Sequence, residues 1–504
     1  MSLIPSQPIS RLQNINLSQL GDLTAPELLI LLADLQLPTE LSPVLSWQRI
    51  QNQQIIGIVS PWRCRGQLTQ SSELKLSFSD DQHMDEHYES AALGYESACN
   101  QLLKSGYFSL DRGHPASSSA RVFVQLSYEA SAQSFGAIRA HSDANTFDLI
   151  VYSACLVNTG VGWRLEFDPS SDFDAPEFAR QLNLLLAEAQ DIDKNVTSNG
   201  ASRAPYHQDE EGDTPLIPPI GELARSAAWS FSQYIDAFDL VQRYLLAGDA
   251  YQVNLAQRLK VSLGDSIKPS DITHLLDEAT SAPYAGGTLE GNSALISCSP
   301  ELFLTFTNEA QAIRLISSPI KGTRPRGATC EQDLALRGEL ERSEKDRAEN
   351  LMIVDLLRHD LGRLCKTGSV KVDELFKLHS FAQVHHLIST ISGELRDDMN
   401  PLQALFDASP GGSITGAPKK RAVEIINELE VGPRGNYCGS IGFMDTRGNA
   451  SFNLMIRTAE LNEGELEIWA GGGITVASEG PKEYQECFDK ISGMLKAIAP
   501  HIKR

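Results

Sequence analysis

Apolar positions along this chain follow two periods. The runs QIIGIVS (54–60), ARVFVQLSYE (120–129) and TFDLIVYSACLV (146–157) are short and rich in β-branched residues, which predicts strands. EFARQLNLLLAEAQ (177–190) instead repeats every three to four residues and predicts a helix. The stretch from Ser230 to Val261 combines both: an amphipathic helix, a turn at Gly248 and Asp249, then a strand. Residues 346–364 carry Met352, Ile353, Leu356, Leu357 and Leu364 at helical spacing, and residues 481–498 carry Tyr484, Cys487, Phe488, Ile491 and Leu495. Helices and strands mixed in this way predict an α+β chain, with sheets and helices in layers.

One segment breaks the pattern. Residues 195–219 (NVTSNGASRAPYHQDEEGDTPLIPP) are polar, acidic, rich in Gly and Pro, and aperiodic, which predicts a linker over 195–222. It separates an N-terminal region, 1–194, from a second region, 223–504, that carries nearly all the chemical signals. No repeat occurs at solenoid periods.

Composition narrows the classes. With 504 residues, 41% hydrophobic and 21% charged, the chain has enough material for a large core. A net charge of -22 argues against a nucleic-acid surface, which needs clustered Lys and Arg. The apolar run at 28–37 is too short to span a membrane, and MSLIPSQPISRLQNINLS lacks the basic start and apolar core of a signal peptide. A cytoplasmic location is expected. The eight cysteines include no CxxC pair, which predicts free thiols and leaves oxygen as the donor for any metal.

The candidate chemistry lies in the second region. Glu349 heads the apolar stripe of its helix, where a carboxylate requires a partner arginine or a cation. Glu483, Glu486 and Lys490 share one face of the last predicted helix, a pattern that also fits a solvated salt-bridge row. Before that helix, a predicted strand ends in Gly471, Gly472 and Gly473, whose backbone N–H groups can approach an anion unobstructed. PGGSITGAPKKRA (410–422) lacks the Lys and Ser or Thr of a phosphate-binding P-loop, yet brings Thr415, Gly416 and Lys419 to the start of a helix, where anions are favoured. Arg457, at the end of an apolar run, can grip a carboxylate with two parallel hydrogen bonds. Together these residues predict a receptor for a small polyanion, with carboxylates that need a divalent cation to coexist.

The segments CSPELFL, SPIKGTRPRG, DRAENLMIVDLLRHDLGR, VHHLISTISGEL, PGGSITGAPKKRA, GNYCGSIGF, IRTAE, AGGGI and EYQECFDKI occur here in that order. Over residues 225–500 the chain resembles the chorismate-utilising enzymes. That resemblance implies a large assembly of layered antiparallel sheets with outer helices. It also implies Mg²⁺ held by Glu349 and Glu486 with help from Glu483, and substrate contacts from Arg457, Tyr437, Gly471 to Gly473 and Lys490, with Thr323 matching the threonine of the family's GT turn; Thr415, Gly416 and Lys419 are expected to contact the substrate from the start of their helix. Glu301 matches the family's general acid and so is expected to have a raised pKa. His386 matches the family histidine.

Two positions separate the branches of the family. Members that add water to chorismate resemble the segment around Gln252 but carry a lysine base there, so an amide points to a nitrogen nucleophile. Members that form anthranilate resemble this chain with PIAGT, whereas the branch forming 4-amino-4-deoxychorismate, on the route to p-aminobenzoate and folate, has PIKGT, as at residues 319–323. The resemblance thus implies that Lys321 attacks C2 of chorismate before ammonia enters at C4, with ammonia supplied by a glutamine amidotransferase subunit in a heterodimer. Anthranilate synthesis is the alternative activity, although ELLILLAD lacks the LLES-like inhibitor signature and SYEAS (127–131) lacks an expected glycine. A chorismate-binding subunit without turnover is the rival from another class. A recess lined by Mg²⁺, Arg457, Lys419 and Lys490 can be locally positive within an acidic shell.

Overall fold

The computed structural model describes residues 13–184 apart from 18–19, 21–22, 35–43, 61, 69–72, 81–83, 105–120, 133–144 and 168–172, and residues 226–503 apart from 265, 310–311 and 381–383. The expected linker lies outside the described residues.

Two large antiparallel sheets dominate. The first runs, in spatial order, Gln13–Asn16, Trp163–Phe167, Ala154–Asn158, Gln53–Val59, Val44–Ile50, Gly286–Glu290, Ser293–Ser297, Thr458–Asn462, Glu465–Ile474, Gln252–Ser262 and the short Gly416–Ala417. The second runs Ile320–Pro325, Val384–Glu394, Ala312–Ser317, Leu302–Glu309, Ala450–Asn453, Ser440–Asp445, Arg121–Leu126, Asn145–Tyr152, Trp62–Leu68, Glu73–Asp80 and Met84–Ser90, with Lys371–Ser380 also paired to Val384–Glu394. Strands from before and after the linker share both sheets: Trp47 pairs with Gly287, and Phe123 with Phe443. Between the sheets, Val44, Ile55, Val157 and Leu295 of one meet Phe123, Ile150, Tyr152 and Phe443 of the other in a buried cluster. The layered arrangement expected from the sequence is the one observed.

Helices cover the sheets where the periodicity placed them. Helix Phe231–Ala247 begins at Ser230, whose hydroxyl and Gln233 form a reciprocal cap, and ends at Gly248 in the left-handed conformation (φ 83°). Helix Gly480–Ile498 buries Cys487, Phe488, Ile491, Met494 and Leu495 and packs with Phe231–Ala247 against the strand Glu465–Ile474. Helix Glu344–Leu364 is capped by Ser343 and buries Ile353, Val354, Leu357, Leu361 and Leu364 against the second sheet. It differs from a simple apolar stripe at Asn350, fully buried, which accepts a hydrogen bond from Ser389 Oγ at 2.6 Å. Among the described residues no helix is long and apolar enough to cross a membrane. All eight cysteines are free, seven of them buried.

Candidate active site

The strand Glu465–Ile474 pairs with Gln252–Ser262 so that Gly471 faces Ala256 and Gly473 faces Asn254. Space makes the triplet glycine. A Cβ at Gly471 would lie 2.5 Å from the Leu255 carbonyl oxygen, and one at Gly473 2.6 Å from Gln252 Nε2. At Gly472 it would lie 3.1 Å from Glu483 Oε2, 3.5 Å from Lys490 Nζ and 3.7 Å from Glu486 Oε1. The triplet therefore forms a floor beneath the polar face of the last helix, with the Gln252 amide at its edge. Gln252 is buried, and its Nε2 has no hydrogen-bond partner among the described residues. An orphaned buried donor costs about 1–3 kcal/mol, so it favours a ligand that brings an acceptor.

The second sheet contributes Lys321 from the strand Ile320–Pro325. Gly322, which follows it, has φ 87°, and a Cβ there would lie 2.8 Å from Leu340 Cδ1, so only glycine turns the chain at this point without strain. Thr323 pairs with His386, and Thr323 Oγ1 lies 2.9 Å from His386 Nδ1. Burial, reinforced by Arg457, lowers the His386 pKa to about 4, so the ring is neutral near pH 7. Lys321 is half-buried and forms no ion pair among the described residues, although its charge is felt by both Glu301 and Glu486.

Glu301 precedes the strand Leu302–Glu309 and is buried. Burial raises its pKa above the ordinary carboxylate range, outweighing Lys321, the Ser413 hydroxyl 3.3 Å from Oε1, the backbone of Ile320, and Lys490. The expected direction is the one found. Arg457 has φ 51° and forms no ion pair among the described residues, and burial lowers its pKa. A guanidinium removed from water and without a salt bridge favours an anionic partner, although the charge of Glu301 is felt there.

The acidic face is organised by lysines. Lys490 Nζ lies 2.7 Å from Glu486 Oε1 and donates to the Gly471 carbonyl at 2.9 Å. Glu349 Oε1 lies 3.8 Å from Lys345 Nζ, and the same lysine acts on Glu483 and Glu486, which draws the three carboxylates into one region. Burial and the neighbouring Glu486 raise the pKa of Glu483. Burial also opposes ionisation of Glu486, but Lys490, Lys345 and Lys321 together hold it below the ordinary range.

Three expected substrate contacts are engaged elsewhere. Lys419 Nζ is 2.7 Å from Asp360 Oδ2, in a pair with each side chain 9% exposed, and also donates to the Ala408 carbonyl. Its charge ties three helices together. Thr415 is fully buried and donates to the Gly411 carbonyl at 2.9 Å, closing its own loop. The Tyr437 ring is buried and stacks on Trp469. Gly416 keeps a direct role in the wall: with φ 139°, its missing side chain leaves room for the Gln252 carbonyl, 2.1 Å from where a Cβ would stand. Sequence reasoning missed Ser413, Lys345 and Arg434. Ser413 lay within a recognised motif and Lys345 sits one turn before Glu349, whereas nothing local marks Arg434.

Residues 43–496 match the family described as chorismate binding enzyme. The chain belongs to this family. Among curated chorismate binding enzymes, it is 44% identical over 291 residues to aminodeoxychorismate synthase component 1 of Klebsiella aerogenes, covering 57% of this chain and 63% of that one. With the protein of the same name from Escherichia coli it shares 45% over 266 residues, covering 53% and 57%. These matches span about three-fifths of the relatives' length. The crystal structure of anthranilate synthase component I from Streptococcus pneumoniae has the same fold, with a TM-score of 0.65 at 22% identity, covering 94% of this chain and 98% of that one.

Proposed function

We propose that this chorismate binding enzyme converts chorismate and ammonia to 4-amino-4-deoxychorismate, with Lys321 as nucleophile and Glu301 as general acid. The observation that carries this reading is the state of Lys321: half-buried, unpaired among the described residues, and electrostatically coupled to a buried carboxylic acid of raised pKa. The neutral amine adds to C2, the ring double bonds shift, and the C4–O bond breaks as Glu301 gives its proton, so that water leaves. Ammonia then adds at C4, the double bonds shift back, and the C2–N bond breaks to release the neutral amine. The Glu301 carboxylate takes the proton shed by the new ammonium. Arg457 and the glycine floor would hold the two carboxylates of the substrate, and His386, neutral, would fix the Lys321 turn through Thr323.

Glu349, Glu483 and Glu486 suit Mg²⁺. They offer hard oxygen donors, and Gly472 leaves open the space that its Cβ would fill beside Glu483 and Glu486. Among the described residues they form no ready-made set of three metal donors, so substrate and water would have to complete the ion's shell. When bound, the ion would neutralise the crowded anions and orient the ring carboxylate. The names of the relatives as component 1 support a second component, and in this reading that partner is a glutamine amidotransferase subunit that delivers ammonia.

The test is mass spectrometry of the product formed from chorismate, ammonium and Mg²⁺, with and without an amidotransferase. Aminodeoxychorismate is expected in both cases, and ammonia-free incubation should leave a chorismate-minus-water adduct on the peptide bearing Lys321. Anthranilate or isochorismate as the sole product would reject the reading.

A further inference from the structure

Behind the site lies a buried arginine that no motif singled out. Arg434 is 1% exposed, and its fork meets Glu430 through Nε to Oε2 at 2.9 Å and Nη2 to Oε1 at 2.7 Å. Nη1 also donates to the Ile414 carbonyl at 3.0 Å, and Nη2 to the Asn254 carbonyl at 3.0 Å and side-chain Oδ1 at 3.3 Å. Glu430 in turn accepts the Ala256 N–H at 2.9 Å. One ion pair thus joins three backbone points. Ile414 follows Ser413, which donates to Glu301; Asn254 lies two residues after Gln252; and Ala256 pairs with Gly471.

The seat of this arginine is built from both ends of the chain. The guanidinium lies 4.9 Å from the Tyr128 ring centroid and 5.6 Å from that of Tyr437, which stacks on Trp469, two residues before Gly471. Its backbone N–H donates to Glu129 Oε1 at 2.7 Å. Arginine is required by this geometry, since a lysine has no planar fork to reach a carboxylate and two carbonyls at once.

We infer that Arg434 is a positioning residue: with Glu430 it sets the spacing between the Gly412–Gly416 loop and the Gln252 strand, and thereby the placement of Ser413 on Glu301 and of the Gln252 amide over Gly473. This rests on the function proposed above. Arg434 touches no reacting atom, so its loss acts on turnover through misplacement, and a displacement of about 1 Å is enough for about a 100-fold loss in rate.

The experiment compares Arg434→Met and Arg434→Lys with wild type, in steady-state kinetics well below each unfolding temperature and in amide hydrogen exchange. For Arg434→Met, kcat is expected to fall about 100-fold while KM changes less than about threefold, with Arg434→Lys in between. Loosening of Ser413 should also move the alkaline limb of the rate profile upward. Faster exchange is expected selectively at residues 252–256 and 412–416. A kcat within about threefold of wild type, or exchange raised uniformly or not at all, would overturn the inference. If Arg434→Met does not fold, Glu430→Gln is read in its place, with the same selective exchange and about a tenfold loss of kcat expected. If the wild type makes no aminated chorismate, the functional reading fails, and the exchange pattern alone decides the role of Arg434.

Discussion

Thr323 Oγ1 and His386 Nδ1 meet at 2.9 Å across adjacent strands, and this contact anchors the turn on which Lys321 is carried. Burial depresses the His386 pKa from 6.5 to about 4, so the folded protein favours the neutral ring. The stability that this confers is fully present above pH 6.5 and is lost as pH falls through 4. In urea unfolding between pH 4 and 7, His386→Gln should show a flatter pH dependence than wild type. An unchanged slope would remove His386 from the explanation.

In the proposed reaction Glu301 must hold a proton to expel the hydroxyl, so the rate should decline as pH rises through its raised pKa. The Ser413 hydroxyl stabilises the ionised form, and its removal raises that pKa further. Ser413→Ala should therefore move the alkaline limb of the kcat profile to higher pH. Glu301→Gln should lower kcat by about 100- to 10,000-fold and abolish the limb. A limb that survives in Glu301→Gln belongs to another group.

Lys321→Ala removes the proposed nucleophile while leaving Glu301 and Arg457 in place. Formation of aminodeoxychorismate should fall more than about 100-fold, a barrier increase of roughly 2.7 kcal/mol, and anthranilate should appear as ammonia reaches C2 directly. Chromatography of both products measures the ratio. Undiminished aminodeoxychorismate would exclude covalent catalysis by this residue.

Two glycines test the scaffold. Gly322→Ala forces a side chain into a left-handed turn against Leu340 and should cost about 1–2 kcal/mol. At Gly416→Ala the obstacle is the Gln252 backbone carbonyl, which cannot rotate away, so a larger loss of about 2–4 kcal/mol is expected. Thermal unfolding ranks the two. The reverse order would mean that the 412–416 loop moves freely against the Gln252 strand.

Glu129 is buried, with Oε2 lacking a hydrogen-bond partner, and burial raises its pKa from 4.5 to about 7. A raised carboxyl stabilises the fold fully below pH 4.5, and that contribution disappears as pH rises through 7. Between pH 5 and 8 the wild type should lose roughly 2–3 kcal/mol that Glu129→Gln retains, since an amide keeps an acceptor for the Arg434 N–H without a charge. Chemical denaturation at both pH values provides the comparison.

Much of this protein was legible locally. The glycine triplet, the turn at Gly248 and the apolar stripes of the last helices depend on residues a few positions apart, and the sequence pattern places them correctly. The motif residues Lys321, Glu301, Gln252, Arg457 and Glu486 were likewise identifiable as types, and the fold brings them near one another: Lys321 acts on Glu301 and Glu486, Glu301 acts on Arg457, and the Gln252 amide lies over Gly473. Lys419, Thr415 and Tyr437 show the limit. Each lies in a recognised motif, yet Asp360, Gly411 and Trp469 hold them, because a polar group removed from water takes whichever partner packing brings within reach.

By itself, then, the sequence determined the local elements, the free thiols and the kinds of side chain available for chemistry on a small polyanion. Only the tertiary structure decided which of those side chains find partners within the protein and which do not. It also placed strands from opposite ends of the chain in shared sheets and buried Arg434 between Tyr128 and Tyr437. The reason is physical: burial and charge pairing depend on neighbours hundreds of residues away in sequence, and their energies exist only once the sheets have closed.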